Sequence, residues 1–163
     1  MSETAKLPLV ARILKNVIQG EKSQAYPLAN YANAAALLKE NFDNINWAGF
    51  YLYDEAEDVL VLGPFIGKKA TVLIKPTEGV VGHTFLQQET VIVENVEDFP
   101  GHIACDPTSQ SEIVVPITTA DGQKLGVLDI DAPSIGRFTE ADKDVLEAFV
   151  QTLLPFIHKI DVR

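Results

Sequence analysis

The chain has 163 residues, 47% hydrophobic and 22% charged, and its 13 Lys plus Arg against 23 Asp plus Glu give a formal charge of −10. This is an ordinary globular composition, able to build a continuous core without disulfides, and it excludes disorder as a whole-chain description. So acidic a chain lacks the cationic footprint that nucleic acid or an anionic membrane surface requires, and no apolar run approaches the ~18–20 residues of a membrane span. The one cysteine, Cys105, leaves no internal disulfide and no multi-cysteine metal site. Residues Met1 to Lys6 lack the apolar run and small-residue cleavage site of a secretory signal, so a cytoplasmic protein is expected. No repeat, low-complexity tract or flexible linker interrupts residues 1–163, which predicts a single domain.

Leu9, Val10, Ile13, Leu14 and Val17 recur at helical spacing within Leu7–Gln19, and Gly20 is a natural stop. A second helix is expected from Pro27, suited to a first helical position, to about Asn41, with Leu28, Tyr31, Ala35 and Leu38 on one face. From Ile45 the period changes to that of a strand, ending at Tyr53. The acidic turn Asp54–Asp58 then leads into a hairpin partner, Val59–Ile66. Short strands are predicted at Ala70–Ile74, Thr90–Glu94, Glu112–Thr119 and Lys124–Asp131. The last two are joined through the Asp121-Gly122 step, a strong hairpin signal. Gly79–Gln88 reads as a short helix. Thr139 and Asp142 form a cap ahead of Val145, Leu146, Phe149, Val150, Leu153 and Leu154, and Pro155 ends or kinks that helix. The class is α+β: a mainly antiparallel sheet of about six strands with N- and C-terminal helices packed on it. Asn95–Ser111 is a long aperiodic connection, the kind that usually carries function.

Strict alternation along the last strand puts Leu125, Val127, Asp129 and Asp131 on one face and Gly126, Leu128 and Ile130 on the other. The two carboxylates are then roughly 6.5–7 Å apart on an otherwise apolar strand. They either cap the turn at Ala132-Pro133 or form a cation or proton-donor site, because a buried carboxylate must be paired or protonated. Counting outward from the hairpin brings Glu112 to the same end of the ribbon as Asp131. A hard metal ion could use such oxygens, but no Asp-x-Asp-x-Asp-Gly loop accompanies them, and no metal is expected. Cys105 sits in the long loop between Pro100-Gly101 and Asp106-Pro107. It is either a small buried hydrophobe or a nucleophile whose thiolate His102, three residues earlier, would stabilise. His102 has the alternative of simply holding the loop. Trp47, Gly49, Tyr51 and Tyr53 share one face of the first strand, as core or as an aromatic wall for a cation or sulfur group.

The segments Asn46–Tyr51, Leu62–Phe65, Phe99–Asp106, Ser111–Pro116 and Gly126–Asp131 together resemble the free methionine-(R)-sulfoxide reductases, which are stand-alone GAF-domain enzymes. The resemblance implies a GAF-like fold and a cytoplasmic oxidoreductase acting on free methionine sulfoxide. It implies that Cys105 is the catalytic cysteine, that Glu112, Asp129 and Asp131 bind and activate the substrate, and that Trp47 and Tyr51 line its pocket. No bound cofactor is implied. The family commonly carries two further cysteines that recycle a Cys sulfenic acid; here their positions hold Thr71 and, within Gly79-Val-Val-Gly82, Val81. The expectation is therefore recycling by an external thiol, a low-molecular-weight thiol or a thioredoxin-like protein. The alternative is a GAF module that binds or senses an amino acid or methionine sulfoxide with little turnover. The apolar faces of Leu7–Gln19 and Val145–Ile157 permit a homodimer.

Overall fold

The computed structural model describes residues 7–20, 23–102 and 106–163. Four helices, α1 (Leu9–Ile18), α2 (Pro27–Asn41), α3 (Gly79–Gln87) and α4 (Glu140–Leu153), surround six strands. These are β1 (Trp47–Asp54), β2 (Val59–Ile66), β3 (Leu73–Ile74), β4 (Val91–Val93), β5 (Ser111–Thr118) and β6 (Lys124–Ala132). They form one sheet in the order β3-β2-β1-β6-β5-β4, and every neighbouring pair is antiparallel. This is the architecture the sequence predicted.

The sheet separates two apolar layers because alternate side chains point to opposite faces. On one face Phe50, Leu52, Ile113, Leu128 and Ile130 pack with Leu14, Tyr31, Leu38, Phe149 and Leu153 of α1, α2 and α4. On the other, Trp47, Tyr51, Val114 and Val127 pack with Val80, Val81 and Phe85 of α3. The second layer is the thinner one, and the site opens within it.

Three expectations need correction. Leu9 and Val17 of α1 are 64% and 48% exposed, whereas Val10, Ala11, Leu14 and Ile18 are buried. α1 packs against both α2 and α4, so its buried stripe is centred on Leu14, and Leu9 and Val17 fall to its side. Leu28 of α2 is likewise exposed, turned away from the face of Tyr31, Ala35 and Leu38.

The second correction is on β6. Ile117 faces Gly126 but Thr118 faces Lys124, which leaves Leu125 as an extra residue, a β-bulge. Leu125 consequently joins the helix-side layer with Leu128 rather than sharing the face of Val127. Gly126 allows this with φ +151°, in a place where a Cβ would lie 2.0 Å from the Tyr51 carbonyl oxygen. Beyond the bulge the alternation is as expected, so the two aspartates keep their predicted face.

Third, β3 is two residues rather than the five of Ala70–Ile74. The Thr71 carbonyl accepts from the Tyr51 hydroxyl (2.8 Å) and the Lys68 carbonyl from the Trp47 indole N–H (3.0 Å). Within the expected strand, the Thr71 carbonyl is therefore taken by a β1 side chain instead of a strand partner. The α4 cap is as predicted: the Asp142 N–H donates to Thr139 Oγ1 (3.2 Å), and the Thr139 N–H to Asp142 Oδ2 (3.0 Å). α4 ends at Leu153 and a single 3₁₀ turn, Leu154–Phe156, accommodates Pro155.

Candidate active site

Register assembles the site. Trp47 of β1 lies across from Asp131 of β6, and Asp131 lies across from Glu112 of β5. Two residues further along, Gly49 faces Asp129 and Asp129 faces Val114. Glu112 and the two aspartates so converge from adjacent central strands, with an oxygen of each within 4.8 Å of the others. All three are buried, with 4%, 4% and 7% of Glu112, Asp129 and Asp131 exposed.

Three carboxyl groups this close and this dry cannot all be charged. Burial, then the neighbouring Glu112 charge, push the pKa of Asp129 well above the ordinary carboxylate range, while its hydrogen bond with Asp131 pulls the other way. Among the described residues, Asp129 Oδ1 has no hydrogen-bond partner. A buried polar oxygen left open in this way is costly unless a ligand or water completes it. The three oxygens also have a spacing that a cation could use.

A narrow cleft lies over the cluster, bounded by Tyr51, Ile74, Glu112, Asp129, Asp131, His102 and the first turn of α3. Trp47 lies just behind its wall. Its ring stacks on Tyr51, with centroids 6.1 Å apart, and on Phe65 at 5.2 Å. Tyr51 thus contributes surface directly and Trp47 fixes the plane of that surface. Val81, at one of the two positions the resemblance singled out, is buried at the cavity edge, and Thr71 holds the Tyr51 hydroxyl through its carbonyl.

Cys105 lies outside the described residues. The residues bracketing that segment are both anchored. His102 Nε2 is 3.3 Å from Glu112 Oε2. Asp106, buried, accepts from the Thr108 N–H (2.9 Å), the Thr108 hydroxyl (2.6 Å) and the Asn46 amide (3.2 Å), and Lys68 Nζ is 3.7 Å away. The Thr108 hydrogen bonds above all hold the Asp106 carboxyl below its ordinary pKa. Asp106 is a residue to which the sequence reading assigned nothing. Its signal was present in Asp106-Pro107-Thr108, an Asx-turn pattern in which a carboxylate caps the backbone two residues on.

Residues 33–158 match the GAF domain family. The chain is 48% identical over 126 residues to the free methionine-R-sulfoxide reductase of Escherichia coli (strain K12), covering 77% of this chain and 74% of that protein. The chain belongs to that family of GAF-domain proteins. Its likeness to the free methionine-R-sulfoxide reductase of Saccharomyces cerevisiae is 43% over 131 residues, 77% of this chain and 73% of the relative. Among solved structures, the free methionine-R-sulfoxide reductase from Neisseria meningitidis in complex with its substrate superposes with a TM-score of 0.84 at 38% identity, covering 96% of this chain and 90% of that one.

Proposed function

We propose that this chain, acting as one GAF-like domain, reduces free L-methionine-(R)-sulfoxide to methionine with Cys105 as the nucleophile. The observation that carries the reading is Asp129: a carboxyl beside two others, its pKa raised above all by burial, bordering the cleft and with one oxygen that has no partner among the described residues. Family membership supports it, since relatives at 43% and 48% identity bear that activity in their names.

The chemistry suits the geometry. The α-ammonium of a free amino acid is the natural partner for Glu112 and Asp131, and the aromatic face of Tyr51, backed by Trp47, suits a methyl sulfoxide. The Cys105 thiolate attacks the sulfoxide sulfur, the Asp129 proton goes to the sulfoxide oxygen, and transfer of that oxygen breaks the S–O bond. Methionine and Cys105 sulfenic acid result: the substrate sulfur is reduced and the cysteine sulfur oxidised by two electrons. Cys105 is the chain's one cysteine, so recycling requires an outside thiol. One thiol forms a mixed disulfide and releases water; a second frees Cys105 and leaves as a disulfide.

A rapid-quench assay with reduced protein and resolved sulfoxide stereoisomers tests this. About one equivalent of methionine per Cys105 is expected from the free L-(R) isomer, with continued turnover on adding dithiothreitol. Less than about half an equivalent, and no turnover with thiol, overturns the reading. The missing recycling thiols at Thr71 and Val81 favour a second reading, a module that binds methionine sulfoxide and turns it over poorly. Cys105→Ser separates the two. It abolishes reduction and leaves affinity nearly intact if the chain is an enzyme, whereas unmodified protein that binds but never releases methionine is a sensor.

A further inference from the structure

We propose that His102 is a positioning residue for the acid cluster: from the loop that carries Cys105, its Nε2–H holds the Glu112 carboxylate charged and facing the cavity, which leaves the shared proton on Asp129. This rests on the functional reading above and assigns a role within the same site.

Geometry is the first support. His102 Nε2 and Glu112 Oε2 are 3.3 Å apart, with only 15% and 5% of the two side chains exposed. The ring is placed there by its own backbone. Gly101 takes φ +73°, and the His102 N–H then donates to the Phe99 carbonyl at 3.2 Å. The loop is tied at its base by the Val96 N–H on the Gln110 carbonyl (2.9 Å), and Phe99 meets His83 of α3 edge-on at 5.7 Å.

Chemistry is the second. Among the described residues lining the cavity, His102 is the one basic side chain. Burial lowers its pKa, so near neutral pH it is an uncharged ring. The nitrogen nearest a carboxylate must then carry the hydrogen. A neutral donor favours the charged form of Glu112 without neutralising it, so the carboxylate remains available to a ligand's ammonium. A Lys or Arg at the same place would compete with that ammonium. The charge so preserved is also one of the forces that keep Asp129 protonated. The titratable groups facing His102 are Glu112 of β5, Asp129 and Asp131 of β6, and Glu78 at the start of α3, with His83 beyond Phe99.

His102→Phe removes the donor and keeps the bulk; His102→Gln restores an N–H near the Nε2 position. The affinity of the full chain for L-methionine, measured by calorimetry from pH 5 to 9, is the first readout. Binding weakens on the acid side as Glu112 protonates. In H102F the midpoint of that weakening moves up by about one pH unit, so binding is up to about tenfold weaker below the wild-type midpoint and within about twofold of wild type at and above the shifted one. H102Q keeps the wild-type midpoint. A purely structural role would weaken H102F equally at every pH, or impair H102Q as much as H102F, and either result overturns the proposal. The second readout needs no ligand: the Glu112 carboxyl ¹³C resonance, assigned by its loss in Glu112→Gln, titrates about one pH unit higher in H102F and unshifted in H102Q. Failure of wild-type protein to bind L-methionine counts against the functional reading, and the Glu112 titration still decides the role of His102. If H102F does not fold, His102→Asn, whose shorter amide does not reach Oε2, takes its place.

Discussion

Burial and the neighbouring Glu112 charge raise the pKa of Asp129, and this links its chemistry to stability. Its folded pKa lies above its unfolded one, so the native state is favoured at low pH and loses that advantage as pH rises through the folded value. Asp129→Asn keeps the neutral shape and removes the proton. Denaturant midpoints should therefore favour D129N over wild type increasingly as pH rises, while reductase turnover falls by about 10²–10⁴-fold. Loss of stability in D129N at alkaline pH would contradict the assignment. Asp106 has the opposite sign. Its pKa is depressed, so its stabilisation is present above the ordinary carboxylate range and is lost as pH falls through the lower folded value. Acid unfolding curves of wild type and Asp106→Asn should accordingly converge toward low pH and separate above it. The acids on β5 and β6 were legible in the sequence because charge in an apolar strand is conspicuous. The grip of His102 on Glu112 was not, since it spans a loop whose path no periodicity fixes.

β6 shows what an element's sequence conveys and where that stops. Alternation beyond Gly126 carried the two aspartates to the correct face, and hairpin counting brought Glu112 to the same end of the ribbon as Asp131; the register then pairs the two directly. The bulge at Leu125 was hidden, because an extra residue changes no composition and is paid for by backbone conformation alone. Gly126→Ala should be severely disruptive: its Cβ would meet the Tyr51 carbonyl oxygen at 2.0 Å in a backbone region L-residues avoid. A loss of more than about 2 kcal/mol in urea unfolding is expected, and a change within experimental error would show that the bulge relaxes. The α4 cap is the contrasting case, visible in the sequence and local in effect. Thr139→Ala should cost about 1 kcal/mol of stability and leave ligand affinity unchanged.

At the scale of the molecule, two ends of the chain are joined through one buried amide. Asn30 Nδ2 donates to the Ser23 carbonyl (2.7 Å) and to the Phe156 carbonyl (2.8 Å), tying the turn before α2 to the turn after α4. Asn30→Leu leaves both acceptors unsatisfied and should cost about 1–3 kcal/mol, with the acid cluster and its ligand affinity intact. Equal loss of affinity would mean that the helical layer and the site are coupled through the sheet. No helix among the described residues is long and apolar enough to cross a membrane.

The sequence by itself determined the class, the strand order along the chain, the helix cap and the identity of the acids, because each is written in local period or local chemistry. Tertiary structure alone decided which stripe of α1 is buried, where β6 bulges, how Trp47 and Tyr51 brace the connection before β3, and which carboxyl has an open oxygen. Those outcomes depend on what lies across a strand or beneath a helix, and contacts between residues distant in the chain leave no periodic trace in it.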